Sequence, residues 1–368
     1  MKIKDIIRVF ENFAPLPYQE NYDNAGLQIG KYNQDVKAAV LCIDITEEVV
    51  EEALKLNANL IISHHPLIFT KLHKITDSNY VERTISKAIK SNIAIYTVHT
   101  NLDNVSHGVN KIISSKLDLK NEQILSPLKN DLKKLVTFVP VDHIEKVRLA
   151  VFNAGAGKIG KYSSCSFNIK GEGTFKAGKS ATPFVGKKNQ IHFEKEIRFE
   201  TIYPDYLQNK ILDALFSAHP YEEVAYDIYL LGNINPTVGA GMIGKLQHPI
   251  DNLDFLKLLS KIFKTTAIRY TNNLSKKQMI KKVALCGGSG SFLIKEAIAQ
   301  NADVFITGDI KYHQFFEAED KIIIADIGHY ESEQFTTEIF YNVLKEKFPN
   351  FAVYFTKVNT NPVKIFTL

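Results

Sequence analysis

The sequence lacks the features that mark secreted, membrane-spanning and disulfide-stabilised proteins. Its three cysteines, Cys42, Cys165 and Cys286, stand far apart without CxxC spacing, which favours buried thiols in a reducing compartment over disulfides or a zinc knuckle. No stretch reaches the roughly 18 uninterrupted apolar residues of a membrane helix. The first residues have neither the apolar core nor the cleavage site of a signal peptide. We therefore expect a cytoplasmic protein without membrane contact.

The charged residues argue against another class of protein. Lys and Arg number 45 against 40 for Asp and Glu, a net charge of +5. No dense block of Lys or Arg accompanies this mild excess, so the sequence gives no support to a nucleic-acid partner. Hydrophobic residues make up 45% of the chain, as in folded globular proteins. A length of 368 residues predicts two or three domains.

The two ends of the chain resemble each other. Residues 37–65 align without a gap with residues 281–309, and Cys42 recurs as Cys286. Each copy has the pattern of a strand, an amphipathic helix, an Asn-containing turn and a buried strand, which is a βαβ unit. Such units build parallel sheets. We interpret the similarity as a duplication, although all βαβ units share part of this pattern.

A segment of different character separates the two copies. Residues 129–234 show the order strand, helix, strand, strand, helix, strand, which is the ferredoxin-like arrangement. A Gly- and Lys-rich stretch at 170–189 predicts a long loop or hairpin within it. The predicted fold is α/β, with a duplicated βαβ core and a mainly parallel sheet, plus an inserted ferredoxin-like α+β domain. Residues 1–128 and 235–368 would form the two halves of the core.

Histidines and carboxylates follow the predicted strands of both copies. They are His64 and His65, Asp103, and His329 with Glu333 at the start of a long predicted helix. The carboxyl ends of parallel strands meet at one edge of a sheet, where ligands bind. Adjacent residues leaving a strand point to opposite sides, so the two neighbouring histidines can address two centres. Such nitrogen and oxygen ligands suit two divalent ions, whether zinc, manganese, iron or nickel.

Each of these motifs alone has a plainer interpretation. A histidine pair at a strand end is often structural, and a His–Glu pair four residues apart on a helix is an ordinary surface contact. What favours a metal site is the co-location of four separated segments at strand ends, namely those of His64 with His65, Asp103, Asp309, and His329 with Glu333. Two ions about 3.5–4 Å apart would activate a bridging water for hydrolysis. His99 and Asp309 are then the candidates for moving protons.

Three neighbouring features leave alternatives open. The CGGSGS turn, with its Gly-rich loop at 287–290, either cradles a phosphate or is a tight turn, because it lacks the Lys-Ser/Thr of a P-loop. Asp23 and Asn24 belong either to a Gly-containing turn or to the site. Asp309 and His313 are either partners of the metal ligands or a helix cap with an exposed histidine.

A second group of candidate ligands lies in the insert. His219, Glu222 and Glu223 occur together in the stretch AHPYEEVAYD. Pro220 within this stretch favours a helix-to-strand turn over a metal site.

In combination, the motifs resemble those of the Nif-three-like, or YbgI-like, dinuclear-metal proteins, which are called GTP cyclohydrolase 1 type 2 homologues. The resemblance spans nearly the whole chain and rests on DNAGLQIG, ISHHPLIF, VHTNLDN, CGGSGS, FITGDIKYH and DIGHYESE. It implies two divalent metal ions, with Glu333 shared by both. The implied ligands are His64, His65, Asp103, His329 and Glu333. It also implies that the insert is similar to trimeric PII-like signalling proteins.

The resemblance further implies an assembly and an activity. Family members form toroidal homohexamers whose metal sites face an interior cavity. The family name implies a metal-dependent hydrolase, in which hydroxide between the metals attacks a purine nucleotide such as GTP, or a phosphate ester. The alternative is a non-catalytic, metal-binding or regulatory hexameric ring with a ligand-sensing insert. A ring around nucleic acid fits the toroid but not the modest charge.

Overall fold

The computed structural model describes residues 1–271 and 279–366. The chain forms two compact units, one made of Met1–Pro127 with Pro236–Leu368 and the other of Leu128–Asn235. No helix among the described residues has the length and apolar character needed to cross a bilayer.

The first part of the chain alternates strands and helices. Its elements, in chain order, are α1 Ile3–Phe13, β1 Gly26–Ile29, β2 Ala38–Cys42, α2 Glu47–Lys55, β3 Leu60–Ser63, α3 Tyr80–Lys90, β4 Ala94–Thr97, α4 Thr100–Asp103, α5 Val109–Lys116 and β5 Lys120–Pro127.

The second unit has its elements in the order βαββαβ. They are β6 Leu132–Pro140, α6 Ile144–Asn153, β7 Ser166–Lys176, β8 Ile191–Pro204, α7 Gln208–Ala218 and β9 Tyr226–Leu230. The strands form one antiparallel sheet in the order β7-β8-β6-β9. The Gly- and Lys-rich stretch 170–189 is partly strand, because β7 continues to Lys176 in register with β8.

The chain then returns to the first unit. The remaining elements are β10 Gly239–Asp251, α8 Asn252–Phe263, β11 Arg269–Tyr270, β12 Met279–Ser289, α9 Ile294–Ala299, β13 Val304–Gly308, β14 Ile323–Asp326, α10 His329–Glu333, α11 Thr336–Lys347 and β15 Ala352–Phe355. Short 3-10 helices occur at Leu16–Tyr18, Val141–His143, Asp205–Leu207, Ser291–Leu293 and Tyr312–Ala318.

The first unit contains two sheets, and both are mixed. In the order β1-β4-β3-β2-β15, only β1 runs antiparallel to its neighbour. In the order β11-β14-β13-β12-β10-β5, only β14, β13 and β12 are parallel. The mixed α/β class is thus confirmed, but the second sheet is not mainly parallel. β5 and β10 form an antiparallel pair where the chain leaves and re-enters the unit, on either side of Leu128–Asn235.

The inner parallel strands β2, β3, β4, β13 and β14 are buried on both faces, as their continuous apolar sequences require. The edge strand β15 is partly exposed. One face of each sheet contributes to a shared core with the helices α1, α5, α8 and α11. The other face packs against α2 and α3 in the first sheet and against α9 in the second. Polar side chains of these segments can therefore reach solvent or a cavity only at the ends of the strands.

The two copies of the sequence repeat use the same turn. Asn57 and Asn301 follow α2 and α9 and adopt φ values of 52° and 54°. Asparagine tolerates this left-handed conformation better than most residues do, which explains why the same residue type ends both helices. The duplication itself stays a prediction.

The helix that contains His329 and Glu333 is shorter than the sequence predicts. Instead of one long helix, α10 ends at Glu333 and α11 begins at Thr336. The side-chain amide of Gln334 donates to the carbonyls of Glu331 and Phe263. The Gln334 side chain thus satisfies the Glu331 carbonyl, which lies in the last turn of α10, and the helix ends there.

A large-to-small substitution in the shared core tests this packing. Phe340 is fully buried, and its ring meets that of Phe10 edge-on at 5.7 Å. We expect Phe340→Ala to lower the free energy of unfolding by about 3–5 kcal/mol, measured by urea denaturation after metal removal. Phe292→Ala is the control, because Phe292 is 66% exposed. Equal losses in the two variants would contradict the proposed core.

Candidate metal centre

Three parallel strands direct the candidate ligands to one place. His64 and His65 follow β3 directly, and Asp103 ends the short helix α4 that comes after β4. His329 and Glu333 begin and end α10, which comes after β14. The structure thus brings all five residues together from both sheets of the first unit.

Glu333 stands at the centre of this cluster and divides it into two groups. Its Oε1 lies 3.5 Å from Nε2 of His64, which in turn lies 3.7 Å from Oδ1 of Asp103. Its Oε2 lies 2.9 Å from Nε2 of His65 and 3.1 Å from Nε2 of His329. Each oxygen of one carboxylate therefore faces a different set of donor atoms, and each set could hold a metal ion.

Nδ1 of each of His64, His65 and His329, the ring nitrogen that faces away from Glu333, has its own hydrogen-bond acceptor. Nδ1 of His64 lies 3.0 Å from the carbonyl oxygen of Val98. Nδ1 of His65 lies 2.7 Å from Asp44, and Nδ1 of His329 lies 2.6 Å from Asp309. These acceptors hold a proton on Nδ1, so Nε2 points into the cluster and, once deprotonated, can bind a metal ion. Metal-binding histidines are oriented in this way.

The donor atoms fit metal ions by two independent criteria. Nε2 of His64 and Oδ1 of Asp103 are buried and have no hydrogen-bond partner among the described residues. Such groups cost free energy unless a ligand or ion satisfies them. Donor atoms around a tetrahedral ion with bonds of about 2.1 Å lie about 3.4 Å apart. The separations of 2.9–3.7 Å around Glu333 are close to this value.

The pKa values of the residues in the cluster show that its buried carboxylates favour positive charge on their neighbours. Burial opposes protonation of His65 and His329, but their carboxylate neighbours outweigh it and raise the pKa values to about 10 and about 11. Burial lowers the pKa of His64. Burial also disfavours ionised Glu333, but the three histidines hold its pKa well below the usual range. Burial and the charge of Glu333 raise the pKa of Asp103.

His99 lies beside the cluster and is held from the N-terminal segment. Its ring centroid is 5.3 Å from that of His64 and 5.4 Å from that of His65. Its Nδ1 lies 2.7 Å from Oδ1 of Asp23, whose other oxygen accepts hydrogen bonds from the backbone and side chain of Thr100. Burial opposes ionisation of Asp23, but these hydrogen bonds lower its pKa to about 2. His99 with His64 and His65 forms a third possible ligand group.

The sequence left the roles of several residues near the site open. Asp23 reaches the site through His99, whereas Asn24 donates to the carbonyl of Ile68. Asp309 bonds a candidate ligand, His329. His313 is exposed and stacks on Phe316, away from the ligands.

The histidine and acids of the insert form a turn rather than a metal cluster. Nε2 of His219 lies 3.0 Å from the carbonyl of Phe138, and its Nδ1 accepts from the backbone of Tyr221. Both ring nitrogens are therefore used by the main chain. Glu222 accepts a hydrogen bond from the backbone of Thr182, and Glu223 joins none of the possible ligand groups.

The Gly-rich loop supports the ligands instead of forming a phosphate cradle. The amides of Gly287, Gly288 and Gly290 donate to side chains of Asn110, Ser332 and Thr307, so they are not free for a phosphate. Gly288 has a φ of +64°, and a Cβ there would lie 2.3 Å from Oε1 of Glu333. The glycine is required because the Glu333 carboxylate packs against its backbone.

A cavity of about 760 Å³ opens onto the cluster. Its wall includes His65, His99 and His329, the side chain of Arg269, and the C-terminal segment 361–365. His65, His99, Asp309 and His329 were named from the sequence, but Arg269, the C-terminal segment and Asp44 were not. Asp44 follows β2 by two residues, so its place at a strand end is a signal that could have found it.

Taken together, the fold and site define an α/β protein with a histidine–carboxylate cluster that could hold metal ions. The model of the Duf34/NIF3 (NGG1p interacting factor 3) family matches residues 1–362. The chain belongs to this family, which confirms the resemblance that its motifs indicated.

Relatives and solved structures agree with this assignment. A GTP cyclohydrolase 1 type 2 homolog of Halalkalibacterium halodurans is 39% identical over 97% of both chains. A homolog of the same name from Bacillus subtilis is 35% identical over 98% of this chain and 97% of its own. The crystal structure of a Bacillus cereus protein related to NIF3 has a TM-score of 0.85 and 37% identity, and the match covers 100% of this chain and 99% of that one.

Substitution of Gly288 by alanine tests whether the Glu333 carboxylate must lie against this backbone. We expect Gly288→Ala to weaken metal binding by about tenfold or more, because the new Cβ displaces Glu333; titration calorimetry with zinc measures this. Gly160→Ala is the matched control, since Gly160 has a similar φ of +55° but no atom within 4 Å of its Cβ position. Unchanged zinc affinity in Gly288→Ala would refute the role given to this glycine.

The hydrogen bond from His65 to Asp44 provides a second test. We expect Asp44→Ala to lower zinc affinity about 10–100-fold, because His65 loses the partner that orients its ring. Competition with a coloured chelator would measure the affinity. Asp35→Ala, at a carboxylate side chain that is 80% exposed, should leave the affinity unchanged. If the two variants bind zinc equally well, Asp44 does not orient His65.

Proposed function

We propose that the chain is a metal-dependent hydrolase that holds two divalent ions and acts on a purine nucleotide such as GTP, or on a phosphate ester. The observation that carries this proposal is the division of donor atoms around Glu333. One oxygen faces His64 and Asp103, and the other faces His65 and His329. A carboxylate placed in this way is suited to bridging two neighbouring cations.

The residues around the ligands support this chemistry. Two divalent ions, when bound, would lower the pKa of a water between them and stabilise charge on a leaving oxygen. Asp44, Asp309 and the Val98 carbonyl hold the three histidine rings so that their Nε2 atoms face the cluster, where they would bind the ions. Gly288 leaves room for the shared carboxylate. These groups hold the ligand atoms in place before any substrate arrives.

His99 is placed to move a proton in the proposed reaction. Its Nδ1 is held by Asp23, which leaves Nε2 to accept or donate a proton. The ring lines the same cavity as His65 and His329. The Asp23 carboxylate would stabilise the ring after it has accepted a proton.

The cavity supports a substrate that carries an anionic group. Its volume of about 760 Å³ lies within the usual range for small-molecule sites. Arg269 lines this cavity, and its side chain is 61% exposed although it pairs with Asp326. A partly exposed guanidinium can bind phosphate oxygens. The name shared by the Halalkalibacterium and Bacillus relatives is consistent with a purine nucleotide.

The assembly stays a prediction. We propose a homohexamer, as the family resemblance implies, and light scattering of the purified protein would determine the number of chains.

Paired substitutions separate metal binding from catalysis. We expect wild-type protein to hold two zinc or manganese ions per chain and to turn over GTP or a model phosphodiester. Glu333→Gln should lose both metal and turnover, because Gln cannot bridge two cations. His99→Gln should keep its metal content but lower kcat by about 10²–10⁴. Elemental analysis and steady-state kinetics are the measurements.

The control and the contrary results are specific. His313→Gln replaces an exposed histidine outside the cluster and should behave as wild type. Absence of turnover across nucleotides and phosphoesters, with both ions bound, would leave the non-catalytic metal-binding function. Loss of an ion in His99→Gln would make His99 a ligand instead of a proton carrier.

A further inference from the structure

The second unit contains a cavity that is separate from the metal ligands. Its volume is about 660 Å³, and all of its lining residues lie between Phe138 and Ala225. The floor is the face of the sheet where Phe138 and Ile169 pair with Arg198, and where Gly171 pairs with Glu196. The helices α6 and α7 pack on the opposite face, around Leu135 and Phe199.

Two glycines create the space on this floor. No atom lies within 4 Å of a Cβ built on Gly171, so the position above it is open. A Cβ on Gly173 would lie 2.2 Å from Oε2 of Glu196. The missing side chain at 173 therefore lets the Glu196 carboxylate lie flat against β7.

Aromatic rings form the walls. The rings of Phe175 and Phe184 lie 6.1 Å and 6.2 Å from that of Tyr221, and Phe138 contributes a fourth ring. Glu222 holds the segment around Thr182, whose neighbours Ala181, Pro183 and Phe184 line the cavity. Its carboxylate accepts a hydrogen bond from the backbone of Thr182 at 2.8 Å. These tilted rings contact one another, so together they offer an apolar surface against which a flat molecule can pack.

One carboxylate of the lining, that of Glu196, is buried, whereas those of Glu172, Glu222 and Glu223 are exposed. Glu196 is only 9% exposed, and its Oε1 accepts a hydrogen bond from the hydroxyl of Tyr221 at 3.0 Å. No hydrogen bond reaches its Oε2 in the part of the chain that the structure describes. A ligand with N–H donors would satisfy this oxygen, and a charged donor would do so more strongly.

The charges around the cavity select against an anion. The lining contains four carboxylates and two basic side chains, namely Glu172, Glu196, Glu222, Glu223, Lys176 and Arg198. The guanidinium of Arg198 is already bound to Glu200 at 2.8 Å. The cavity should therefore prefer a neutral or cationic ligand to a carboxylate or a phosphate.

We propose that this cavity binds a small, flat nitrogen heterocycle that places two N–H donors on Glu196 and its ring among Phe175, Phe184 and Tyr221. The ligand class is that of 2-amino-azoles and related aromatic amidines. The site is independent of the metal ligands, and it needs neither metal nor hydrolysis for binding.

The probe for this site is 2-aminobenzimidazole, with benzimidazole-2-carboxylate as the anionic counterpart of the same shape. We expect the full-length protein to bind the amine at one site per chain with a dissociation constant of about 1 mM or tighter. The carboxylate should not bind. Glu196→Gln should weaken binding by about tenfold or more, because the charged acceptor is lost. Ligand-observed NMR and calorimetry are the measurements.

Matched variants separate the cavity from general effects on the unit. Gly171→Val should abolish binding, because it fills open space with a residue that suits a strand. Gly232→Val is its control, since it too has no atom within 4 Å of the built Cβ. Glu145→Gln removes a carboxylate that is 80% exposed and pairs with Arg148, and it should bind as wild type does.

Three results would overturn the proposal. The first is no binding of 2-aminobenzimidazole to wild-type protein. The second is equally tight binding of benzimidazole-2-carboxylate, which would remove the role of the carboxylate. The third is unchanged affinity in Glu196→Gln or Gly171→Val. A change of oligomeric state in Gly171→Val, together with no binding to wild type, would make this face an interface between copies.

Discussion

The candidate site depends on one buried carboxylate that requires positive charge on both of its oxygens. Glu333 is 3% exposed, and a buried charge is tolerated only when it is paired. His64 faces one oxygen, while His65 and His329 face the other. Asp103 adds a further carboxyl close to His64. Two acids with three imidazoles in so small a volume are most readily balanced by cations.

The sequence predicts this cluster well because its members belong to recognisable local patterns. His64 and His65 interrupt an apolar run, and His329 and Glu333 share a helix face four residues apart. The apolar periodicity of the strands locates their carboxyl ends, and the topology of parallel sheets then brings those ends together. The break after Glu333 was not predicted, because it depends on a hydrogen bond of Gln334 with a residue of another helix.

The residues that support the ligands were harder to predict. Asp44 is a single acid after a strand, with nothing nearby in sequence to identify its partner. Its contacts are with His65 and with Thr360, which lies 316 residues away. The mixed second sheet has a similar origin, because the pairing of β5 with β10 joins segments on either side of the insert. Such long-range pairings leave no periodic signal in a single sequence.

The two oxygens of Asp44 connect a candidate metal ligand, His65, with the C-terminal wall of the cavity. One oxygen orients His65, and the other accepts a hydrogen bond from the hydroxyl of Thr360. The next residue, Asn361, donates to Glu331, which lies within the helix that carries His329. The C-terminal segment is thus bonded to neighbours of the ligands and not to the ligands themselves. Substitutions in this segment would therefore alter the cavity wall of the proposed hydrolase while the set of donor atoms around Glu333 is retained.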